Sequence, residues 1–276
     1  MQVSKKILEE NYYLFLGQYT AVSRIRESAQ NLYDKVISGQ RYYYFCMYGL
    51  DFSEQQNEIF NSLDNAMHKF LYGAMTLEQL WGVTHYLETN TYGLPKTIDI
   101  GITRQQNEIE FLLSYLLDQA LYTWRSFLDF YLKYLLFFLT GKNVVNISTK
   151  SFKDNIDHYL RTHPSENKAT EVYSYITAKV LSKTYNTENG IECWGDLLRS
   201  LRDKTTHNKL IQPTIKEKKN SLGFKITWPT IQGVNYAELA QLEFENNAFE
   251  MIRELFPVLY EIEWKQGPYK PGMYQK

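Results

Sequence analysis

The amino-acid sequence predicts an all-α protein: a helical bundle with a long central helix, an N-terminal helical extension and one small β-hairpin. Three observations support this prediction. Apolar residues recur at helical spacing through most of the chain. Pairs of residues that cap helix N-termini stand before several of these segments. Only residues 212–228 show the alternation of apolar and polar side chains that is typical of a β-hairpin.

The N-terminal extension is predicted for residues 1–95. Helical spacing begins at residue 4, continues to residue 36 and ends at Ser38 and Gly39, because glycine is common just after a helix. The following residues, 41–50, are rich in tyrosine and are predicted to be a connector. The first part of the extension is therefore one helix and one linking segment.

Two capping pairs divide the rest of the extension into two predicted helices. Ser53 with Gln56 has the spacing of a capping box and opens the first helix. Thr76 with Gln79 repeats the pattern and opens a shorter helix, which ends near Pro95.

Thr103 with Gln106 opens the longest predicted helix, residues 104–140, which measures about 55 Å at about 1.5 Å per residue. Most of its circumference is apolar, which is typical of a central helix that packs on several sides. One face carries a polar band of four residues, Asp118, Tyr122, Arg125 and Asp129. The band is expected to face solvent. The alternative is that it lines a cleft in which Arg125 and Asp129 brace a ligand.

The later part of the chain completes the bundle, which is predicted for residues 103–263. Further helices are predicted at residues 151–161, 165–185, 191–210 and 235–263, with the hairpin at 212–228 before the last of them. Asn235 with Glu238 caps that last helix. Residues 264–276 are rich in Pro, Gly and Lys and are predicted to be a flexible tail.

The composition excludes several classes of protein. The chain of 276 residues has a net charge of −1, so no global field draws it to nucleic acid. Its two cysteines are far apart in the sequence, which indicates a reducing compartment and argues against a zinc site. Neither a signal peptide nor a membrane span is predicted. We therefore expect a cytoplasmic protein that does not enter a membrane.

One segment departs from this charge balance. Residues 196–219 contain seven cations and three anions, a local charge of +4. Its last part, residues 216–219, is most simply a solvated hairpin turn, although it can also contact RNA phosphates. Its first part belongs to the helix predicted at residues 191–210, and this helix carries the functional hypothesis.

That helix separates apolar and polar side chains. Trp194, Leu197, Leu198, Leu201 and Thr205 share one face and are predicted to pack inward. The opposite face carries Arg199, Arg202, Asp203 and His207. These four polar side chains are therefore predicted to be accessible.

The accessible side chains have the chemistry needed to cut RNA. His207 can exchange a proton near neutral pH, with the 2′-hydroxyl or with the leaving 5′-oxygen. Arg202 can stabilise the charged transition state at phosphorus, and Asp203 can orient the His207 ring. The product would carry a 2′,3′-cyclic phosphate. Arg202 and His207 are about 140° apart on a regular helix, so their convergence requires a helix break, the reach of the arginine or a twofold-related copy.

The same stretch resembles the HEPN superfamily (higher eukaryote and prokaryote nucleotide-binding domains). These helical bundles are marked by an arginine that is followed, after four to six residues, by a histidine. Arg202 and His207 are separated by four residues, and Asp203 matches the polar residue that often follows the arginine. The lead-in at residues 194–201 and the position after a long core helix are also similar to the family's, over about residues 103–263.

The resemblance implies a homodimer in which two motifs meet, with RNA as the substrate and metal-independent endoribonuclease activity that needs no cofactor. It also implies a role as a toxin or in antiviral defence, with an antitoxin protein as a further partner. One branch of the family, regulated by a nucleotidyltransferase antitoxin, has a tyrosine two residues after the histidine. Lys209 stands there in this chain, so that form of regulation is not implied.

Two other interpretations remain open. Some members of the superfamily lack catalysis, so the alternative is a helical module that binds RNA, a nucleotide or a protein partner. The simplest interpretation is an ordinary solvated helix face. If RNA binds, further contacts to phosphates are predicted from Arg125, Arg199, Lys204 and Lys209.

A second polar cluster, around Asp154 and His158, has a helical spacing that suits a metal ion. Pro164 follows soon after, and the sequence offers no clear third ligand. This favours a solvated helix end, and no metal site is predicted.

Overall fold

The protein is all-α with a small β-hairpin, as predicted, and a second, shorter pair of strands. A computed structural model describes residues 23–50, 52–89, 99–144, 147–181, 193–207, 211–217, 223–231, 234–240 and 245–274. The helices are α1 (Ser23–Tyr48), α2 (Glu54–Thr89), α3 (Asp99–Thr140), α4 (Thr149–Thr162), α5 (Asn167–Tyr175), α6 (Trp194–His207), α7 (Tyr236–Glu238) and α8 (Asn246–Tyr260). The strands are β1 (Thr214–Glu217), β2 (Phe224–Thr227), β3 (Thr230–Ile231) and β4 (Val234–Asn235).

The long helices α2 and α3 pack side by side at the centre of the molecule. Phe70 of α2 contacts Trp124 and Phe127 of α3 edge to face, with ring centroids 5.3 Å apart in both pairs. All three side chains are fully buried. Gly73 faces the Trp124 ring, where a Cβ atom would lie only 3.0 Å from the indole. The central position predicted for α3 is therefore confirmed.

Helix α1 continues past the glycine at which the sequence pattern ends it. The helix runs to Tyr48, so the predicted end at Ser38 and Gly39 is wrong, and so is the connector at residues 41–50. Gly39 lies against the ring of Phe256 in α8, where a Cβ atom would clash. The glycine permits this close approach and does not end the helix. The predicted start of this helix, residues 4–22, lies outside the described residues.

Helix α2 is one helix rather than two. Its predicted capping box is confirmed, because the Ser53 N–H donates to Gln56 Oε1 (2.8 Å) and the Gln56 N–H donates to Ser53 Oγ (3.3 Å). The second capping pair is wrong. The Thr76 hydroxyl donates back to the Tyr72 carbonyl (2.8 Å), as threonine does within a helix. The predicted end near Pro95 lies outside the described residues.

Helix α3 ends where the sequence predicts. Gly141 has φ +69°, and its N–H donates to the Phe137 carbonyl (2.9 Å), which is a glycine cap. Its start is at Asp99, one turn before the predicted capping pair at Thr103. Within the described ranges, no helix combines the length and the apolar character needed to cross a bilayer.

Helix α5 continues into a π-helical turn, Ile176–Val180. Helix α6 packs against this turn. A Cβ atom on Gly195 would lie 2.8 Å from the Val180 carbonyl oxygen and 2.9 Å from Leu128 of α3. Glycine is therefore required where α6 crosses both elements. The predicted break at residues 189–190 lies outside the described residues.

The predicted hairpin is confirmed. Strands β1 and β2 are antiparallel, with Ile215 opposite Ile226. The hairpin packs against α3 through the Ile215 N–H, which donates to Glu110 Oε1 (3.1 Å). A second, shorter pair, β3 and β4, follows and was absent from the sequence prediction.

The C-terminal residues differ from the predicted flexible tail. The Lys35 ammonium of α1 donates to the Lys265 carbonyl (2.9 Å), and Tyr274 is buried beside Phe256. Asn235 caps only the short helix α7, and α8 begins later, at Asn246. Residues 23–89, assigned to the extension by their sequence pattern, share one continuous apolar core with α3 and α8.

Candidate functional site

The candidate site begins with α6, whose predicted apolar face is buried from Trp194 to Leu201, whereas Thr205 is not among the described side chains. Leu197, Leu198 and Leu201 have at most 3% of their surface exposed, and Trp194 also has only 3% exposed. The helix is amphipathic, so burial of this face leaves the other face on the outside of the molecule. Arg202 and Asp203 lie on that outer face, with 34% and 62% of their side chains exposed.

Helix α6 lies antiparallel to α3. Gly195, near the start of α6, contacts Leu128, whereas Arg202, about two turns later, lies over the ring of Tyr122 at 5.9 Å. The end of α6 is thus directed toward the earlier residues of α3. This packing places the motif beside the polar band of the central helix.

Three arginines and three aspartates meet where these helices cross, and we call them the arginine–aspartate cluster. The ion pairs are Arg125 Nη2 to Asp129 Oδ1 (2.7 Å), Arg199 Nη2 to Asp196 Oδ1 (2.5 Å) and Arg202 Nη1 to Asp203 Oδ1 (3.2 Å). Each arginine is therefore held by a carboxylate from its own helix. Two of the pairs have the i, i+3 or i, i+4 spacing of helix neighbours.

The polar band of α3 is divided between two environments. Tyr122 is half exposed, in agreement with the prediction that the band faces solvent. The side chain of Arg125 is only 15% exposed and that of Asp129 31%, because α6 covers this end. Arg125 and Asp129 are therefore covered by α6 and do not face solvent, and the alternative that they brace a ligand in a cleft stays a prediction.

Burial dominates the electrostatics of this pair. Burial raises the pKa of Asp129 to about 6, against the opposing effect of the nearby arginines. Burial also lowers the pKa of Arg125, and Asp129 only partly offsets this. The ion pair at 2.7 Å is close, but the loss of hydration outweighs its attraction. Arg125 Nη1 has no hydrogen-bond acceptor among the described residues.

Asp203 contacts Arg202 in the structure, whereas the sequence predicts that it orients His207. Its carboxylate accepts a hydrogen bond from Arg202 Nη1 (3.2 Å). His207 is the last residue of α6, but its side chain and that of Lys204 are not among the described side chains. Lys209 lies outside the described residues. The convergence of Arg202 and His207 therefore stays a prediction.

Beside the cluster lies an open depression of about 750 Å³ between α4, the π-helical turn and α6. Arg199 and Asp196 form one wall, and Lys150, Lys153 and Asp154 of α4 form the other. The sequence interpretation missed both lysines and Asp196. The only available signal was the i, i+3 spacing of the lysines, which is common on solvated helices.

Comparisons with known proteins identify no relative. No family model matches the chain, and neither a curated protein nor a solved structure matches it. Support for a function therefore comes from the residues of α3 and α6 alone.

Proposed function

We propose that the protein is a HEPN-type, metal-independent endoribonuclease that cuts RNA at the motif of α6. The observation that supports this most directly is the placement of Arg202. Its guanidinium lies at the accessible face of α6, over Tyr122 and beside Asp203, while the apolar face of the helix is buried. An arginine held in this way can grip phosphate oxygens.

The proposed reaction is an internal transfer at phosphorus. His207 takes the proton of the 2′-hydroxyl, and the 2′-oxygen attacks the adjacent phosphorus. The bond to the 5′-oxygen breaks, and as that oxygen leaves it receives a proton from the protonated His207. The products are a 2′,3′-cyclic phosphate and a free 5′-hydroxyl. Arg202 stabilises the negative charge that builds up on the phosphate oxygens, and Asp203 positions Arg202.

A homodimer is part of the proposal. On a regular helix, positions 202 and 207 are five residues apart along the chain and about 140° apart around the axis. A twofold axis near the end of α6 would bring Arg202 of one protomer toward His207 of the partner subunit. We further propose a toxin or antiviral role in the cytoplasm, with an antitoxin protein as the regulating partner.

The first test is cleavage of single-stranded RNA by the full chain in the presence of EDTA. We expect the wild type to cut, and His207→Ala to lose at least about a hundredfold in rate at an unchanged melting temperature. His158→Ala is the matched control, because His158 is an exposed histidine on α4. Equal cleavage by the wild type and His207→Ala would refute the assignment of the proton-transfer group.

A second variant separates catalysis from binding. Arg202→Lys keeps the positive charge but loses the planar fork, so we expect RNA to bind while cleavage falls. If neither the wild type nor any variant cuts, and Arg202→Ala weakens RNA binding, the protein is a non-catalytic RNA-binding module. If neither substitution changes cleavage or binding, this face of α6 has no role with RNA.

A further inference from the structure

Four aromatic residues of α3 are exposed although the helix is central to the fold, and three of them lie on one face. Phe111, Tyr115 and Tyr122 have 57%, 48% and 50% of their surface exposed. Their spacing places them within an arc of about 40° and along about 16 Å of the helix axis. We call these residues the aromatic stripe. Exposed apolar rings in one line usually mark a surface that contacts another molecule.

The aromatic stripe leads into the arginine–aspartate cluster. Tyr122 is the residue beneath the Arg202 guanidinium, at 5.9 Å. Arg125 lies one turn further along the same face of α3. Because α6 runs antiparallel to α3, its last turn extends from Arg202 toward the part of the stripe that carries Tyr115. Rings and cationic groups are therefore next to each other on a single surface.

We propose that Phe111, Tyr115 and Tyr122 form a stacking platform for unpaired bases of single-stranded RNA, whose phosphates contact the arginines of α6. The proposal rests on the proposed function for the identity of the ligand, and it adds where the strand lies. Stacking on aromatic side chains together with a cationic track is how proteins hold single strands of any sequence.

The exposed rings of the aromatic stripe and the neighbouring Asp118 favour a single strand over a duplex. In a duplex the faces of the bases are already stacked on each other, so the exposed rings would gain nothing. Asp118 lies between Tyr115 and Tyr122 on the same face and repels phosphates. The backbone of a bound strand is therefore directed away from α3 and toward α6, while its bases face the stripe.

The test is binding of a labelled oligouridylate of about ten nucleotides to the full chain carrying His207→Ala, which prevents cleavage. We expect Tyr115→Ala and Phe111→Ala each to weaken binding about tenfold. Tyr115→Phe keeps the ring and should stay within about twofold of the parent. Phe45→Ala is the matched control, because Phe45 is 50% exposed but lies on α1, which packs on α2 and α8.

Three results would overturn the platform. The first is unchanged affinity of the alanine variants while Arg202→Ala still weakens binding, which would leave the proposed function intact. The second is a change of oligomeric state of the alanine variants by light scattering with no loss of affinity, which would make the stripe a protein interface. The third is a loss of affinity of the alanine variants for an RNA duplex of the same length that equals their loss for the single strand. A wild type that neither binds nor cuts RNA would instead refute the proposed function itself.

Discussion

Glu245 is a buried carboxyl group immediately before α8. Only 7% of the residue is exposed, and burial raises its pKa from 4.5 to about 7. Because the pKa is raised in the folded state, folding favours the protonated form. The stabilisation is therefore complete below about pH 4.5 and is lost as the pH rises through about 7.

We predict that Glu245→Gln raises the free energy of unfolding by about 2 kcal/mol at pH 8 and has little effect at pH 5. Glutamine keeps the size of the side chain and never ionises. Urea unfolding at the two pH values measures the difference. Glu250→Gln, an exposed position on the same helix, is the control and should be neutral at both values. The prediction fails if Glu245→Gln is destabilising at pH 8.

At the scale of residues, the sequence predicted the faces of α6 but not the contacts across helices. The spacing of Leu197, Leu198 and Leu201 was enough to identify the buried face, because a helix repeats every 3.6 residues or so. The position of Arg202 over Tyr122 depends on how α6 crosses α3. Residues 80 positions apart in the chain carry no local signal of such a contact. The place of Arg125 beneath α6 was missed for the same reason.

Among the elements, α1 and α8 approach each other closely at Gly39. Gly39 lies against the ring of Phe256, and a Cβ atom there would overlap the ring. We predict that Gly39→Ala destabilises the protein by about 2 kcal/mol, although alanine favours a helix by about 1 kcal/mol over glycine. Thermal and urea unfolding measure this cost.

The double variant identifies the cause of that cost. Phe256→Leu removes the ring from the neighbourhood of Gly39, so Gly39→Ala should then be neutral or stabilising. A cost that is unchanged in the Phe256→Leu background would show that the contact between the helices is not responsible.

At the scale of elements, the capping pair Ser53 and Gln56 was predicted correctly. The predictions that Gly39 ends a helix and that Thr76 begins one were wrong. A capping box acts within four residues, so the sequence contains the whole interaction. Glycine and threonine have more than one role in a helix. Whether Gly39 ends a helix or permits a close contact depends on Phe256, which is 217 positions away in the chain.

At the scale of the whole molecule, the C-terminal residues cover one side of the apolar core. Tyr274 has 3% of its surface exposed and contacts the ring of Phe256, with centroids 5.3 Å apart. We predict that Tyr274→Ala lowers the free energy of unfolding by about 3 kcal/mol, because a buried ring is replaced by a cavity. Chemical unfolding of the full chain measures the loss.

Two control variants define that effect. Tyr274→Phe keeps the ring and should cost less than about 1 kcal/mol. Tyr72→Ala removes a tyrosine that is 52% exposed and should be nearly neutral. A Tyr274→Ala protein as stable as the wild type would mean that the tail is loose in solution.

The sequence predicted the fold class and the central place of α3 because both follow from helical periodicity. It did not predict the packing of the tail. A segment rich in Pro, Gly and Lys has no regular pattern of apolar residues. The burial of Tyr274 therefore depends on tertiary contacts with the helices of the core, such as that with Phe256 of α8. The single apolar core formed by residues 23–89 with the later helices was hidden for the same reason.

If the arginine–aspartate cluster binds phosphates, as proposed, its ion pairs affect which anions can bind there. Each arginine already has a carboxylate partner, so a phosphate group must compete with that carboxylate for the positive charge of the guanidinium. A small free anion has no other attachment to offset this competition. An RNA chain that is bound at neighbouring points holds each phosphate close to the arginine, so the phosphate competes with the carboxylate at a high effective concentration. If RNA is the ligand, as proposed, the resting ion pairs therefore favour chains over inorganic phosphate and mononucleotides.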